Sequence, residues 1–139
     1  MIAYFDTSAL VKLVVVEAGS SQAVRLWDSA DRVVSSVLMY PEARAALKRA
    51  RCDRRLSEQT LRRAIGRMEE LWERIDRVAV LIELAVRAGE LAHVYDLRGY
   101  DAVHLAAAEA VAMEDLVFVA ADIDLCTAAG DLGLAVAQL

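Results

Sequence analysis

The chain has 139 residues, a net charge of −5 and hydrophobic residues at 58% of its positions. This length suits one domain over residues 1–139 with a substantial core, and one proline with six glycines leaves little room for linkers. No apolar stretch is long enough to predict a membrane span and no signal peptide is visible, so we expect a cytoplasmic protein.

The first predicted element is a strand over residues 2–5, a short apolar run without a polar face, which is typical of an inner strand of a parallel sheet. Asp6 follows it, and Thr7 and Ser8 are good N-cap residues for the helix that comes next. A carboxylate at this position must be paired, hydrogen-bonded or bound to a metal. Ligands bind at this edge of open α/β sheets, so Asp6 is the starting point for locating a site.

The remainder of the chain alternates between helical and strand patterns. Further helices are predicted over residues 22–30, 36–52, 57–75, 83–94, 101–113 and 125–129. Further strands are predicted over residues 32–35, 78–80, 116–120 and 134–136. Strands separated by helices at this rhythm predict an α/β fold, with a parallel central sheet of about five strands and helices on both faces.

Positive charge is concentrated in residues 44–77, which we call the basic hairpin. It contains 11 basic and 6 acidic residues, a net of +5, whereas the rest of the chain nets −10. Charge alone favours an ordinary solvated pair of helices, and the alternative is a flank that holds phosphate beside an acidic pocket. In that alternative the RNA-binding residues are Arg54, Arg55, Arg62 and Arg63.

Four acidic residues fall where predicted elements end or begin. Asp6 and Asp122 each follow a buried strand, and Glu42 and Asp101 lie in the first turns of helices. These points meet at the carboxyl edge of a parallel sheet, where four carboxylates repel one another unless a cation neutralises them. Oxygen-only clusters suit Mg²⁺ or Mn²⁺, which activate water in phosphodiester cleavage. Acids at helix N-termini are also common for dipole reasons, so a structural role stays open for each one alone.

The sequence around these acids resembles the four blocks of the PIN domain, and in detail the VapC toxins of bacterial toxin–antitoxin pairs. In chain order the blocks are residues 6–10, 36–47, 100–106 and 118–122. The resemblance implies a three-layer α/β/α fold and a Mg²⁺- or Mn²⁺-dependent endoribonuclease. It also implies a cognate antitoxin that holds the enzyme inactive, and a toxin that is usually a homodimer. The implied catalytic residues are Asp6, Glu42, Asp101 and Asp122.

One position departs from the family pattern. The family often has Thr or Ser two residues before the last acid, whereas this chain has Ala120. A hydroxyl there would order water or carboxylates, so Asp124 is the alternative that shares or replaces the duty of Asp122. The predicted metal ligands are therefore Asp6, Asp101, Asp122 and Asp124.

Three further residues lie close to the acids in sequence. Thr7 and Ser8 are candidate supports of a metal site, although helix capping alone explains both. His104 lies one turn after Asp101 and has the chemistry of a general base. A packing or hydrogen-bonding role is the favoured interpretation for this histidine. Cys52 and Cys126 have no motif spacing, which predicts free thiols.

Apolar residues on the helix over 57–75 motivate a prediction about assembly. Met68, Leu71, Trp72 and Ile75 form a cluster on a helix that also has a charged face, which suggests more apolar surface than one core requires. We therefore expect a homodimer and a groove for an amphipathic antitoxin segment. The antitoxin is expected to insert an Arg or Lys among the four acids, in place of the metal.

Other functions remain as alternatives. The principal one is a non-catalytic partner-binding α/β module whose acidic pocket is vestigial or binds an arginine of another chain. A receiver domain fits poorly, because it needs paired acids after the first strand and a lysine near the last strands. A haloacid-dehalogenase-like phosphatase needs an aspartate where Ser8 stands. Cleavage of RNA that depends on a divalent ion separates the enzyme from the binding module.

Overall fold

The computed structural model describes residues 1–139 as a five-stranded parallel sheet with helices on both faces. The strands are β1 (Ile2–Phe5), β2 (Arg32–Ser36), β3 (Asp76–Val78), β4 (Leu116–Ala120) and β5 (Ala135–Gln138). Their order in the sheet is β3-β2-β1-β4-β5, and every neighbouring pair is parallel. The predicted fold class is confirmed.

Seven helices connect the strands and cover the sheet. They are α1 (Thr7–Val14), α2 (Ser20–Ser29), α3 (Met39–Cys52), α4 (Glu58–Trp72), α5 (Ile82–Tyr95), α6 (Gly99–Ala110) and α7 (Ile123–Asp131). The strand predicted over 78–80 begins two residues earlier, because pairing of Val34 with Asp76 sets the register of this edge strand against β2. None of these helices is both long and apolar enough to cross a membrane.

The central strand β1 separates two hydrophobic cores. Ala3 and Phe5 pack into the core formed with α1 to α4, while Tyr4 points into the opposite core with α5 to α7. Alternate side chains of a strand face opposite sides of the sheet, so both faces of β1 are covered. This double burial explains why its sequence is apolar throughout, and it fixes the position of the residue that follows.

The apolar cluster that motivated the dimer prediction lies on α4 and in the turn after it, and it is part of the core. Met68, Leu71 and Ile75 are at most 3% exposed, and Trp72 is only partly exposed. The apolar face of α4 packs against α3 and α1. The apolar side chains that motivated the dimer prediction are therefore covered within one chain. That argument for a dimer was therefore wrong, although it leaves the oligomeric state itself open.

Candidate active site

A cavity of about 330 Å³ lies at the carboxyl edge of the sheet, next to the ends of β1 and β4. We call it the acidic cavity. All four predicted catalytic acids line it, together with three hydroxyl-bearing side chains, two arginines and a histidine. These lining residues are Asp6, Glu42, Asp101, Asp122, Thr7, Ser8, Tyr100, Arg55, Arg98 and His104. Glu17 also lines the cavity, and its carboxylate is paired with Lys12.

Asp6 joins β1 to α1 and is itself the N-cap of the helix. Its Oδ1 accepts hydrogen bonds from the Ala9 N–H at 2.9 Å and from Ser8 Oγ at 2.7 Å. The prediction that Thr7 or Ser8 caps this helix was wrong, because the carboxylate takes that role. Both hydroxyl side chains are thereby released to line the acidic cavity.

Ser8 links the two strand ends that carry acids. Its Oγ donates to Asp6 and accepts from the backbone N–H of Ala121 at 3.0 Å, just after β4. The side chain therefore supplies a hydroxyl at the junction where Ala120 has none. A serine from α1 thus orders the first carboxylate and fixes it relative to the end of β4.

Glu42 projects from the first turn of α3 and is held through one oxygen. Thr7 Oγ1 donates to Glu42 Oε1 at 2.9 Å, and His104 Nε2 lies 2.7 Å from the same oxygen. His104 is 1% exposed, and its Nδ1 lies 3.0 Å from the Tyr4 hydroxyl. The favoured interpretation of this histidine as a hydrogen-bonding residue agrees with these contacts.

Asp101 is held by a residue that the sequence interpretation missed. The Arg98 Nε donates to Asp101 Oδ2 at 2.8 Å, and the guanidinium carbon lies 5.0 Å from the centre of the Tyr100 ring. The hydrogen bond and charge of Asp101 raise the pKa of Arg98. Arg98 and Asp101 are three residues apart at the start of a helix, and oppositely charged residues at this spacing could have been predicted to pair from the sequence.

The two acids after β4 lie in different places. Asp122 lines the acidic cavity and caps α7, accepting the Leu125 N–H at 2.8 Å through Oδ1. Asp124 is exposed and lines a separate depression beside Asp96 and Asp131. The structure therefore brings Asp122, and not Asp124, together with the other three acids.

The four carboxylates share one feature that bears on metal binding. Each is held through a single oxygen, and the other oxygen takes no hydrogen bond from the protein. No three acidic, histidine or cysteine side chains already surround a common point that could hold an ion. The free oxygens are nevertheless the hard donors that Mg²⁺ and Mn²⁺ prefer, and none of them is fully buried, because every fully buried side-chain oxygen has a hydrogen-bond partner. The donor set therefore fits a divalent cation.

Burial and mutual repulsion shape the electrostatics of the acidic cavity. Burial raises the pKa of Asp6, with a smaller contribution from the charge of Asp101; the hydrogen bonds from Ser8 and Ala9 act in the opposite direction. Burial also raises the pKa of Cys126 to about 11, and the charges of Asp6 and Asp122 add to this effect. The cavity disfavours further negative charge, which is the condition under which a cation binds well.

Comparison with known protein families gives a match over residues 3–131 to the PIN domain. The chain belongs to the PIN domain family. It is 45% identical over 134 residues to ribonucleases VapC45 and VapC49 of Mycobacterium tuberculosis, an alignment that covers 96% of this chain and 93% of each relative. The resemblance to VapC-type toxins is confirmed.

Solved structures agree with this PIN domain at the level of the fold. VapC20 of Mycobacterium tuberculosis, described as a sarcin–ricin loop cleaving toxin, superimposes with a TM-score of 0.69 at 23% identity, over 91% of this chain and 94% of its own. The FitAcB structure from Neisseria gonorrhoeae gives a TM-score of 0.67 at 18% identity, over 98% and 96%. The same α/β/α arrangement thus recurs in sequences with little overall identity.

The four predicted RNA-binding arginines lie at different distances from the acidic cavity of this PIN domain. Arg55, in the turn between α3 and α4, lines the cavity directly. The other three are exposed on that turn and on α4 and do not line it. Arg62 forms a weak ion pair with Glu58 at 3.9 Å, with 79% of its side chain exposed. Only Arg55 is therefore placed to approach the carboxylates.

Proposed function

We propose that this chain is a Mg²⁺-dependent endoribonuclease, with Mn²⁺ as an alternative ion, and the toxin of a type II toxin–antitoxin module. The observation that carries the proposal is the acidic cavity, in which four carboxylates each keep one free oxygen. The high identity to proteins named as ribonucleases supports the same activity. Such a cluster suits metal-dependent phosphodiester cleavage, because a bound cation offsets the charge of both the acids and the phosphate.

We assign different roles in catalysis to the residues of the acidic cavity. Asp6, Asp101 and Asp122 would hold the divalent cation, which when bound polarises the scissile phosphate and lowers the pKa of the attacking water. Asp6 is oriented by Ser8 and by the start of α1. Glu42 would accept a proton from the attacking water at Oε2, because its Oε1 is occupied by Thr7 and His104 whereas Oε2 takes no hydrogen bond from the protein.

A cleavage assay tests this proposal against the non-catalytic alternative. The purified chain is incubated with structured RNAs that contain single-stranded loops, in Mg²⁺, in Mn²⁺ and in excess EDTA. We expect cuts in loops, where the backbone can adopt the in-line geometry, and no cuts with EDTA. Absence of divalent-dependent cleavage across a total RNA preparation would favour the vestigial binding module.

The basic hairpin is the proposed flank for RNA. Arg55 is placed to hold a phosphate next to the carboxylates, and Arg54, Arg62 and Arg63 extend the positive surface along the turn and α4. Phosphate contacts release counterions, so binding to this flank is expected to weaken steeply as salt rises. Exposed arginines in weak ion pairs can exchange their partners for phosphate at small cost.

The proposed protein partner is a cognate antitoxin that inserts an Arg or Lys among the four acids. Arg98 supports this idea, because its guanidinium already forms a hydrogen bond with Asp101 at the edge of the acidic cavity. An inserted cation would compete with the metal, so antitoxin and Mg²⁺ would weaken each other's binding. Titration of antitoxin at low and high Mg²⁺ tests the competition. Affinity that does not depend on Mg²⁺ would mean that inhibition works by blocking RNA access instead.

A homodimer remains part of the proposal, on different residues from those first considered. Leu81, Ile82 and Val86, before and within α5, are between 60% and 81% exposed. Exposed apolar residues of this size, grouped at one end of a helix, favour association. Sedimentation of the wild-type chain and of an Ile82→Glu variant tests this: we expect a dimer that the substitution converts to a monomer.

A further inference from the structure

A chain of buried hydrogen bonds connects the backbone of β2 to Glu42. The Ser36 N–H donates to the Tyr4 hydroxyl oxygen at 3.1 Å, and that oxygen lies 3.0 Å from His104 Nδ1. On the other side of the ring, Nε2 lies 2.7 Å from Glu42 Oε1. Tyr4 and His104 are at most 1% exposed, so water does not replace these contacts.

The hydrogen bonds determine which nitrogen of His104 carries the proton. The Tyr4 oxygen already accepts from Ser36, and its own proton faces His104 Nδ1. The nearby Ser35 hydroxyl acts toward Tyr4 as a further donor and donates its proton to the Phe5 carbonyl at 2.7 Å, so His104 Nδ1 is the acceptor. Nδ1 is therefore unprotonated, and the ring proton lies on Nε2, which donates to Glu42. An imidazolium would place a second donor against the Tyr4 oxygen and leave the buried hydroxyl proton without an acceptor.

Glu42 is fixed by two donors that converge on the same oxygen. Thr7 Oγ1 and His104 Nε2 both bind Oε1, and they lie 3.1 Å from each other. Two convergent donors restrict the carboxylate to one orientation, whereas a single donor leaves it free to rotate about the bond. The consequence is that Glu42, which lines the acidic cavity, keeps Oε2 free of hydrogen bonds from the protein.

We propose that His104 is a positioning residue of this PIN domain. Tyr4 holds it as the Nε2–H tautomer, and in that form it fixes Glu42 through Oε1 and keeps Oε2 available in the acidic cavity. The effect on cleavage rests on the proposed function. The tautomer and the hold on Glu42 are properties of the chain itself and can be measured without RNA.

Nitrogen-15 NMR of the metal-free protein tests the tautomer. His93 is the only other histidine and is exposed, so a His93→Gln background leaves one imidazole to observe. We expect an unprotonated Nδ1 and a protonated Nε2 at neutral pH, and a shift toward mixed tautomers in Tyr4→Phe. A protonated Nδ1 in the background protein would overturn the proposal.

Two substitutions of similar size separate positioning from packing. His104→Gln keeps an N–H that can reach Glu42, whereas His104→Leu fills the space without a donor. For a positioning residue, the leucine variant lowers kcat by about 10- to 100-fold with a smaller change in KM, and the glutamine variant recovers most of the loss. Glu42 is not one of the proposed ligands, but its carboxylate adds negative charge to the cavity in which the cation would bind. In the absence of RNA, calorimetric Mn²⁺ affinity therefore follows the same order. For a packing residue the order is reversed, because leucine suits a buried apolar site better than glutamine.

A third variant covers the case in which the leucine protein does not fold. His104→Asn places its amide near Nδ1, so it can satisfy Tyr4 but does not reach Glu42. We expect it to fold and to show the same loss of kcat and of Mn²⁺ affinity. Wild-type affinity in a folded asparagine variant would overturn the proposal. If the wild-type chain cleaves no RNA at all, the proposed function fails, while the NMR and Mn²⁺ measurements still decide the role of His104.

Discussion

The acidic cavity and the basic hairpin are both densely charged, but their charges are held in different ways. In the acidic cavity each of the four predicted catalytic carboxylates is fixed through one oxygen by donors at 2.7–2.9 Å. In the basic hairpin the ion pairs are exposed and range from 3.0 to 3.9 Å. Donors to these carboxylates are the buried His104, the half-buried Thr7 and Ser8, helix N-termini and one exposed arginine, whereas the hairpin pairs join long flexible side chains.

The way in which each charge is held sets how much it contributes. Exposed ion pairs contribute about 0–1 kcal/mol, so the hairpin charges can be exchanged or removed one at a time with little consequence. Carboxylates with fixed orientation act as a set, and removing one changes the whole site. We therefore expect large effects of single substitutions in the acidic cavity and small ones in the basic hairpin.

The largest expected effect is on cleavage. Asp6→Asn and Asp101→Asn should each lower kcat/KM by at least about 100-fold, since even groups that only support metal ligands contribute 10- to 100-fold. Asp124→Asn is the matched control, because Asp124 is exposed and lies outside the acidic cavity. Cleavage assays at saturating Mg²⁺ provide the comparison. Full activity in both cavity variants would contradict the assignment of the site.

Each of the two regions has one cysteine, so the labelling rates of the two thiols provide a second comparison. Cys126 is 6% exposed beside the acidic cavity, and its pKa of about 11 makes the thiolate about 100-fold scarcer at neutral pH than that of a thiol with a pKa of 9. Cys52 ends α3 in the basic hairpin and is exposed. A disulfide reagent should label Cys52 quickly and Cys126 at least about 100-fold more slowly. Equal rates in the native protein would mean that the cavity side of α7 opens readily.

RNA affinity tests whether the weakly held charges of the basic hairpin are functional. Reversal to Glu of Arg54, Arg55, Arg62 and Arg63 together should weaken binding by metal-free protein by about tenfold or more at low salt. The plot of log affinity against log salt has a negative slope, and its magnitude should decrease by about 0.7 for each phosphate that is no longer neutralised. Among single reversals, Arg55→Glu should have the largest effect.

Arg25→Glu provides the control for this series. It makes the same change in net charge as a single reversal in the basic hairpin, at an exposed position of α2 outside that hairpin. Its affinity for RNA should stay close to that of the wild type. An equal reduction in Arg25→Glu and Arg55→Glu would show that overall charge, rather than the hairpin, governs binding.

The smallest expected effect is on stability. Burial raises the pKa of Asp6 in the folded state, so the folded protein binds this proton more tightly than the unfolded chain does. The stability gained from protonated Asp6 is fully present below the ordinary pKa near 3.8 and is lost as pH rises through the folded pKa. In the metal-free protein Asp6→Asn should therefore be more stable than wild type at about pH 7, and the difference should disappear near pH 3. Urea unfolding at both pH values measures it. If Asp6→Asn were less stable than the wild type at neutral pH, the ionised carboxylate of Asp6 would be stabilised by its surroundings in the folded protein.

Local sequence patterns predicted much of the fold and part of the site. The strand over residues 2–5 and the acid that follows were found because double burial leaves an apolar run and because strand ends mark the ligand edge. The capping role of Asp6 was missed, since Thr7 and Ser8 have similar cap propensity and only the backbone at Asp6 distinguishes them. The burial of Met68 and Leu71 was missed because an amphipathic helix does not reveal which partner covers its apolar face.

The order of the elements and the four acids that meet at the edge of the sheet could be read from the amino-acid sequence alone. These properties depend on hydrophobic periodicity and on position within single elements, and both are local. Which oxygen of each acid is held, and by which donor, emerges only from the packed structure. Tyr4 and His104 are separated by 100 residues, and Thr7 and Glu42 by 35. Such contacts form only when distant elements pack at one register and angle, and the pattern of either segment alone does not encode that geometry.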